Sequence, residues 1–579
     1  MNRKERRAAQ KADRPAAGRS EQSAGERIHR LFYEAAQLET ARKFDDAARA
    51  YKRVLALDPA HAQAWNNLGR TMQQLGKTQD ASASFAKALE LMPQLLEQYA
   101  GISATLVALL PPLANALRLQ ASAWPKRLSE DELFDSAGIA AIESDPLLLL
   151  LLQSTPVRDV AFERLLTALR LSFLEKALSG KALSDRDTAF ACTLARQCFI
   201  NEYIFATTAE EDRQIEHLKS ALAEPSRADP VKLVVLAMYA PLHELSSASK
   251  MLTHPFPPPI DDLLSQQARE PMRERELRDT IPRLTAIEDD VSRRVQQQYE
   301  ENPYPRWVHA AGQVEPIPID QYLRDQFPGR GFAGLGKTED LDILVAGCGT
   351  GQIAIASAQR YSGAKVLGID LSLTSLCYAK RSTPSDLAQR IDYAQADILK
   401  LASFERRFDL IDASGVLHHM ADPLGGWRIL LNLMRPGGFM HVGFYSESGR
   451  GDVVAARAFI AERGYKSTPA DIRRFRQDIL TTQSGGVTRF TDFFTTSECR
   501  DLLFHVQESR LTIAAIKTFI AQNNLRFLGF EFADAQLAHY REQFAQQGWT
   551  LADLDRWQAI EAKYPDTFSG MYQFWVQKG

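Results

Sequence analysis

At 579 residues and 45% hydrophobic composition the chain is too long for one core, which predicts two or three domains. A net charge of −3 excludes a protein that holds nucleic acid by bulk electrostatics. Five cysteines (Cys192, Cys198, Cys348, Cys377, Cys499) are scattered without metal-ligand spacing, so no metal is expected, and their usage fits a reducing, cytoplasmic setting.

The N-terminus opens on Met1-Asn2-Arg3-Lys4-Glu5-Arg6-Arg7, charged but followed by no apolar run, so it does not read as a secretory signal. Its Ala, Gly, Arg, Gln and Ser bury too little apolar surface to order themselves, and a disordered basic tail is expected over 1–27. Next, the pattern Trp65-x-x-Leu68-Gly69-x-x-Met72, Ala81, Phe85, Pro93 has counterparts one period upstream in Leu31, Ala47, Tyr51 and Pro59. Small alanines suit a tight helix crossing and a large aromatic fills the gap beside it. The pattern resembles tetratricopeptide repeats and places two of them over 28–97. Such a resemblance implies one of two roles: a concave groove that recruits a protein or peptide partner, or self-association and bracing of the rest of the chain.

Two repeats need neighbours to cover their faces. Helical periodicity, as in Phe162, Leu165, Leu166, Leu169 and Phe173, predicts an all-α domain over 98–254 docked on the repeats. The apolar stretches at 106–117 and 147–152 are too short to span a bilayer, and Pro111-Pro112 interrupts the first, so both read as buried helices and no membrane contact is expected. Pro255-Phe256-Pro257-Pro258-Pro259 and the charged stretch behind it predict a linker over 255–285.

The last 294 positions, 286–579, carry the chemistry. A β-branched strand runs into Gly347-Cys348-Gly349-Thr350-Gly351-Gln352, the glycine-rich turn by which a doubly wound sheet receives an adenosyl or phosphate-bearing cofactor. By spacing alone Gly349-x-Gly351-x-x-Ala354 also fits a dinucleotide enzyme. A second strand closes on Asp370 and Leu371, about 20 positions further on, where a carboxylate can accept from ribose hydroxyls. A third leads to Asp397 and Ile398, a fourth to Ser414-Gly415-Val416-Leu417-His418-His419, and Arg435-Pro436-Gly437-Gly438 precedes a fifth.

This succession resembles the class I S-adenosylmethionine-dependent methyltransferases over a core of 340–446. The resemblance implies a C-terminal Rossmann-like α/β domain with a seven-stranded sheet whose last strand is antiparallel, completed by strands at 526–532 and 571–577. It implies S-adenosylmethionine as cofactor, held by Gly347, Cys348, Gly349, Gly351, Gln352, Asp370, Leu371, Asp397, Ile398, Ser414 and Gly415. With no Asn-Pro-Pro-Tyr-type run, no cysteine pair for RNA cytosine chemistry and no basic face, the expected acceptor is a protein side chain or a small molecule, and no nucleic acid is expected among the partners. The insertion at 447–525 reads as helices forming a substrate lid.

Family members generally carry an acid two positions before the first glycine, where this chain has Val345. Either a segment upstream replaces it or the domain is a weak or inactive enzyme serving as a scaffold. The segment that offers a replacement holds Tyr299, Tyr304, Arg306 and Trp307, since aromatics attract a sulfonium cation and arginine pairs with a carboxylate; the competing reading is a capped helix end whose aromatics pack on the sheet. His418 and His419 are the candidate general bases, imidazole having a pKa suited to taking an acceptor's proton; the alternative is that one of the pair packs or caps the next helix and that alignment of donor and acceptor carries the rate.

Overall fold

The structure, a computed structural model, describes residues 16–93, 95, 102–222, 229–310, 312, 314–482 and 485–579. Two compact units divide it. One takes the chain up to Ser154 with Asp159–Lys176 and Lys181–Thr193; the other takes Thr155–Arg158, Ala177–Gly180 and Leu194–Gly579.

In the first unit the repeats form as the pattern requires, with helices Ala16–Thr40, Phe44–Leu57, Ala62–Gln74 and Thr78–Leu91. Ala47, Ala81, Tyr51, Phe85, Leu68 and Met72 are buried. Gly69 is needed where it stands, because a Cβ there would lie 2.7 Å from the Phe85 ring. The first helix begins inside the stretch expected to be a disordered tail, in keeping with its Ala, Glu, Gln and Arg, which are good helix formers; residues 1–15 lie outside the described residues. Pro111 and Pro112 open the helix Pro111–Ala123, prolines at the first helical turn losing no hydrogen bond. Leu147, Leu148, Leu151 and Leu152 are buried, and among the described residues no single helix is long and apolar enough to cross a membrane.

The expected all-α domain over 98–254 does not hold together as one body, because from Leu194 onward its helices belong to the second unit. The expected linker over 255–285 is likewise a packed brace. Pro257 caps and Pro258 opens the helix Pro258–Leu264, so the proline run starts a helix instead of spacing two domains. Buried Gln267 donates to the carbonyls of Ala195 (3.0 Å) and Ala237 (3.1 Å) and accepts from the Tyr203 hydroxyl (3.2 Å), a set of bonds no loose linker makes. Further on, the Gln395 N–H donates to Pro282 O and the Leu284 N–H to Gln395 O, which covers the sheet's open edge.

That sheet is built from β1 (Leu341–Ala346), β2 (Ala364–Asp370), β3 (Ile391–Gln395), β4 (Phe408–Ala413), β5 (Met434–Ser446), β6 (Arg510–Leu511), β7 (Leu525–Phe530) and β8 (Tyr572–Lys578). The order is β3-β2-β1-β4-β5-β8-β7, with β8 antiparallel to both neighbours and the two-residue β6 added beside the end of β5. Both faces are covered, so β1 reads as a continuous apolar run: Leu344 and Ala346 face the core that holds Trp427, Phe519 and Phe574, while Ile343 and Val345 face the one that holds Ile355, Leu376 and Trp575. Strand order reverses between β1 and β4, and the crevice at their carboxyl ends is where such sheets take ligands.

Candidate active site

The chain leaves β1 through three residues with positive φ, Gly347 (+69°), Gly349 (+51°) and Gly351 (+89°), the last capping the helix Gln352–Arg360. Each is hemmed in. A Cβ would lie 2.4 Å from Val416 at Gly347, 2.6 Å from the Tyr304 carbonyl oxygen at Gly349 and 2.7 Å from Ala379 at Gly351. Asp370, at the end of β2, fixes the loop: its Oδ2 accepts from the Gly349 N–H (2.9 Å) and its Oδ1 from the Ser372 N–H (2.9 Å). Burial holds this carboxyl above its ordinary value, against the backbone donors that lower it. Each oxygen keeps a second lone pair for a ribose hydroxyl.

Below the loop lies a cavity of about 230 Å³. Gly347, Cys348, Gly349, Gln352, Asp370, Leu371, Asp397, Ile398, Gly415, Tyr299, Tyr304 and His419 line it, which brings most of the expected residues to one place. Gly351 and Ser414 stand behind the lining; Ser414 donates through both its N–H (3.0 Å) and its hydroxyl (2.7 Å) to Asp412 Oδ1 and shapes the end of β4. Asp397 is 2% exposed; its Oδ1 accepts from the Leu399 N–H (2.9 Å), while its Oδ2 is buried without a partner. A buried carboxylate oxygen left unpaired is costly unless a ligand completes it, and an adenine amino group has the donor it lacks. The glycine cradle and this orphaned oxygen fit an adenosyl group.

At the far end of the cavity stands His419, and His418 lies behind it on the same short turn, Leu417–His419. His418 packs against Tyr445 (ring centroids 4.2 Å) and its pKa is held well below the usual value, by burial first and by His419 second. His419 is also lowered, chiefly by burial, against the opposing pull of Asp501. The segment expected as a lid packs beside them: His505 stacks on His419 (3.7 Å), and the Tyr299 hydroxyl donates to Asp501.

A family model described as a methyltransferase domain matches residues 343–438, and one described as a tetratricopeptide repeat matches 38–106. The chain carries a methyltransferase domain fused to tetratricopeptide repeats. Among curated relatives, an uncharacterized protein of a Synechococcus strain is 28% identical over 309 residues, covering 49% of this chain and 71% of that one. The ubiquinone biosynthesis O-methyltransferases of Leptothrix cholodnii and Alkalilimnicola ehrlichii are 30% and 33% identical over 25% and 23% of this chain, which spans 60% and 52% of their length. Among solved structures, PKMT2 from Rickettsia typhi is 16% identical at TM-score 0.33, over 44% of this chain and 51% of that one.

Two residues expected at the methyltransferase cavity stand elsewhere. Arg306 pairs with Glu202 (3.2 Å) and lies over the Phe199 ring (5.5 Å), on the wall of a separate, larger cavity. Trp307 lines that same second cavity and acts on the loop from behind: its indole N–H donates to Thr350 Oγ1 (3.1 Å), and Tyr378 donates to its carbonyl. Glu202 and Thr350, the partners nearest to each in space, claim these side chains before any cofactor can. Of the four upstream residues, Tyr299 and Tyr304 alone reach the cavity.

Val345 is buried in the sheet among apolar side chains and offers nothing to an amino group. The residues that sequence reading missed are Asp501, His505, Gln507 and Tyr445. Asp501 lies in the last turn of the helix Thr496–Phe504 and His505, four residues on, caps it, but nothing local joins them to His419, and Gln507 acts through its backbone.

Proposed function

We propose that this chain transfers the methyl group of S-adenosylmethionine to a hydroxyl acceptor held between the glycine loop and the lid. The observation that carries the proposal is the convergence on one cavity of the glycine cradle, Asp370, the unpartnered Asp397 Oδ2 and His419. Asp370 would take the ribose hydroxyls and Asp397 the adenine amino group, with Leu371, Ile398 and Gly415 packing against the base and Gly347, Cys348, Gly349 and Gln352 along the sugar and methionine arm. S-adenosylmethionine, when bound, supplies a methyl group activated by its sulfonium charge. Tyr299 and Tyr304, neutral because burial raises both hydroxyls well above their ordinary pKa, present aromatic surface on which such a cation rests. Oxygen as the acceptor atom is supported by the O-methyltransferase relatives.

His418 and His419 are the candidate bases of this reading, and the helices Gly451–Arg463, Pro469–Ile479 and Thr496–Phe504 form its lid. The five cysteines are all buried and free, in keeping with a reducing cytoplasmic setting. The repeats are proposed to recruit a protein or peptide.

Incubating the full chain with S-adenosylmethionine labelled in its methyl group and a size-fractionated cell extract tests the reading. One S-adenosylhomocysteine is expected per methyl transferred. Label in the macromolecular fraction supports a protein acceptor brought by the repeats, and label in the small-molecule fraction gives the repeats a bracing role. Absence of S-adenosylhomocysteine with every fraction favours a scaffold whose methyltransferase domain is inactive, for which Val345 is the supporting residue.

A further inference from the structure

His419, Asp501, His505 and Tyr299 meet in a buried cluster whose hydrogen bonds fix where each proton sits. The Nδ1 of His419 lies 3.1 Å from the Gln507 carbonyl oxygen. A carbonyl only accepts, so Nδ1 carries the proton and Nε2 keeps its lone pair. In His505 the sense is reversed: Nδ1 accepts from the Gln507 N–H (3.0 Å), so the proton of this neutral ring is on Nε2, 3.2 Å from the Tyr299 oxygen. The Tyr299 hydroxyl in turn donates to Asp501 Oδ1. One residue of the lid, Gln507, thus sets opposite tautomers in two stacked imidazoles.

We infer that His419, and not His418, is the catalytic base, its Nε2 taking the acceptor's proton, with Gln507 and Asp501 as positioning residues and with His505 and Tyr299 holding Asp501 in place. The inference rests on the methyltransferase reading above and narrows it: the acceptor carries a proton that must leave, as a hydroxyl does and a carbon nucleophile without an acidic hydrogen does not. His419 lines the cavity, whereas His418 is 1% exposed, absent from the lining and sealed against Tyr445.

In the step proposed, the methyl–sulfur bond breaks with its electron pair left on sulfur, the acceptor oxygen bonds to the methyl carbon, and the acceptor's proton passes to His419 Nε2. The imidazolium so formed lies 3.8 Å from Asp501 Oδ1, too far for a hydrogen bond but close enough for charge stabilisation in a dry site. Glu508 adds to that stabilisation and Arg450 opposes it, while His418, His505, Tyr299 and Tyr445 complete the surroundings of the ring.

Two histidines and a carboxylate with ligand atoms within 4.8 Å of one another are also the donor set of a divalent metal site. The tautomers weigh against that use. His505 commits its Nδ1 lone pair to Gln507, which leaves a proton on the Nε2 that would have to ligate, and the Tyr299 hydroxyl already bridges His505 and Asp501.

Long-range ¹H–¹⁵N spectra of the full chain labelled in its histidines, with His419→Gln and His505→Gln for assignment, report each tautomer directly. The expected result at neutral pH is a proton on Nδ1 of His419 and on Nε2 of His505. In Asp501→Asn the His419 titration is expected to move down by about one pH unit, the loss of one nearby charge. A proton on Nε2 of His419, or a titration unmoved in Asp501→Asn, overturns the inference. So does one equivalent of Zn²⁺ that shifts both histidines in the wild type but not in Asp501→Asn, since it assigns the cluster to a metal. Titration of the same wild-type sample with S-adenosylhomocysteine reads the methyltransferase proposal separately, so a chain that binds it yet shows the wrong tautomer loses this inference alone.

Discussion

Gly349→Val is expected to weaken S-adenosylhomocysteine binding at least about a hundredfold, roughly 2.8 kcal/mol, while leaving the protein folded. Two costs combine. The backbone at φ +51° is one that a β-branched residue adopts poorly, and left-handed backbone costs roughly 1–2 kcal/mol even for an ordinary residue. The new Cβ also falls 2.6 Å from the Tyr304 carbonyl oxygen, so loop and cap must separate, carrying the Gly349 N–H away from Asp370. The change lies on a loop beyond the carboxyl end of β1, outside the sheet's strands, so circular dichroism should be unaltered. Unchanged affinity measured by calorimetry would show that the loop is not the cradle.

The second large effect concerns the sheet itself. In-register pairing sets Val345, Asp412, His441 and Trp575 side by side across β1, β4, β5 and β8. His441 is buried, bonded to Asp412 (2.9 Å), close to Glu531 (3.2 Å) and stacked on Trp575. Burial pulls its pKa down, but the two carboxylates outweigh burial and raise it to about 10. A group whose pKa rises on folding stabilises fully below its unfolded value of about 6.5, and that stabilisation is lost as pH climbs through 10. Asp412 and Glu531 move the opposite way, their pKa values lowered by His441 against the effect of burial, so their share is lost in acid.

His441→Leu strands both carboxylates and is expected to cost about 3–5 kcal/mol at pH 7, lowering the thermal midpoint of this domain by at least about 6 °C. Wild type and variant should converge as pH approaches 10. Midpoints that run parallel from pH 6 to 10 would contradict a charged His441.

What could be read in the sequence was what is contiguous in it. The glycine loop, Asp370 and Asp397 follow strands whose apolar runs mark them, and each element points to the next. The tetratricopeptide pattern was equally plain because its contacts recur at a fixed period, as when Phe85 packs on Gly69. The errors came where a side chain's partner is distant in sequence. Arg306 has the chemistry to bind a carboxylate and does so, but the carboxylate is Glu202. Trp307 offers its indole N–H to Thr350. The proline run at 255–259 signals a break in structure, and the break is the start of a helix whose burial only Gln267 and its remote carbonyl partners reveal. His418 and His419 are adjacent in the chain and equivalent on paper. Gln507 and Asp501, far downstream in the chain, lie beside His419 and distinguish the two.

The most direct measurement is isothermal titration of the full chain with S-adenosylhomocysteine, run on the wild type and on Asp370→Ala. Saturable one-to-one binding, weakened at least about tenfold in Asp370→Ala, is the expected result, a loss of about 1.4 kcal/mol from one buried carboxylate that both shapes the loop and faces the ligand. A wild type that binds nothing, or a variant that binds as well as the wild type, would contradict the assignment of this cavity to S-adenosylmethionine.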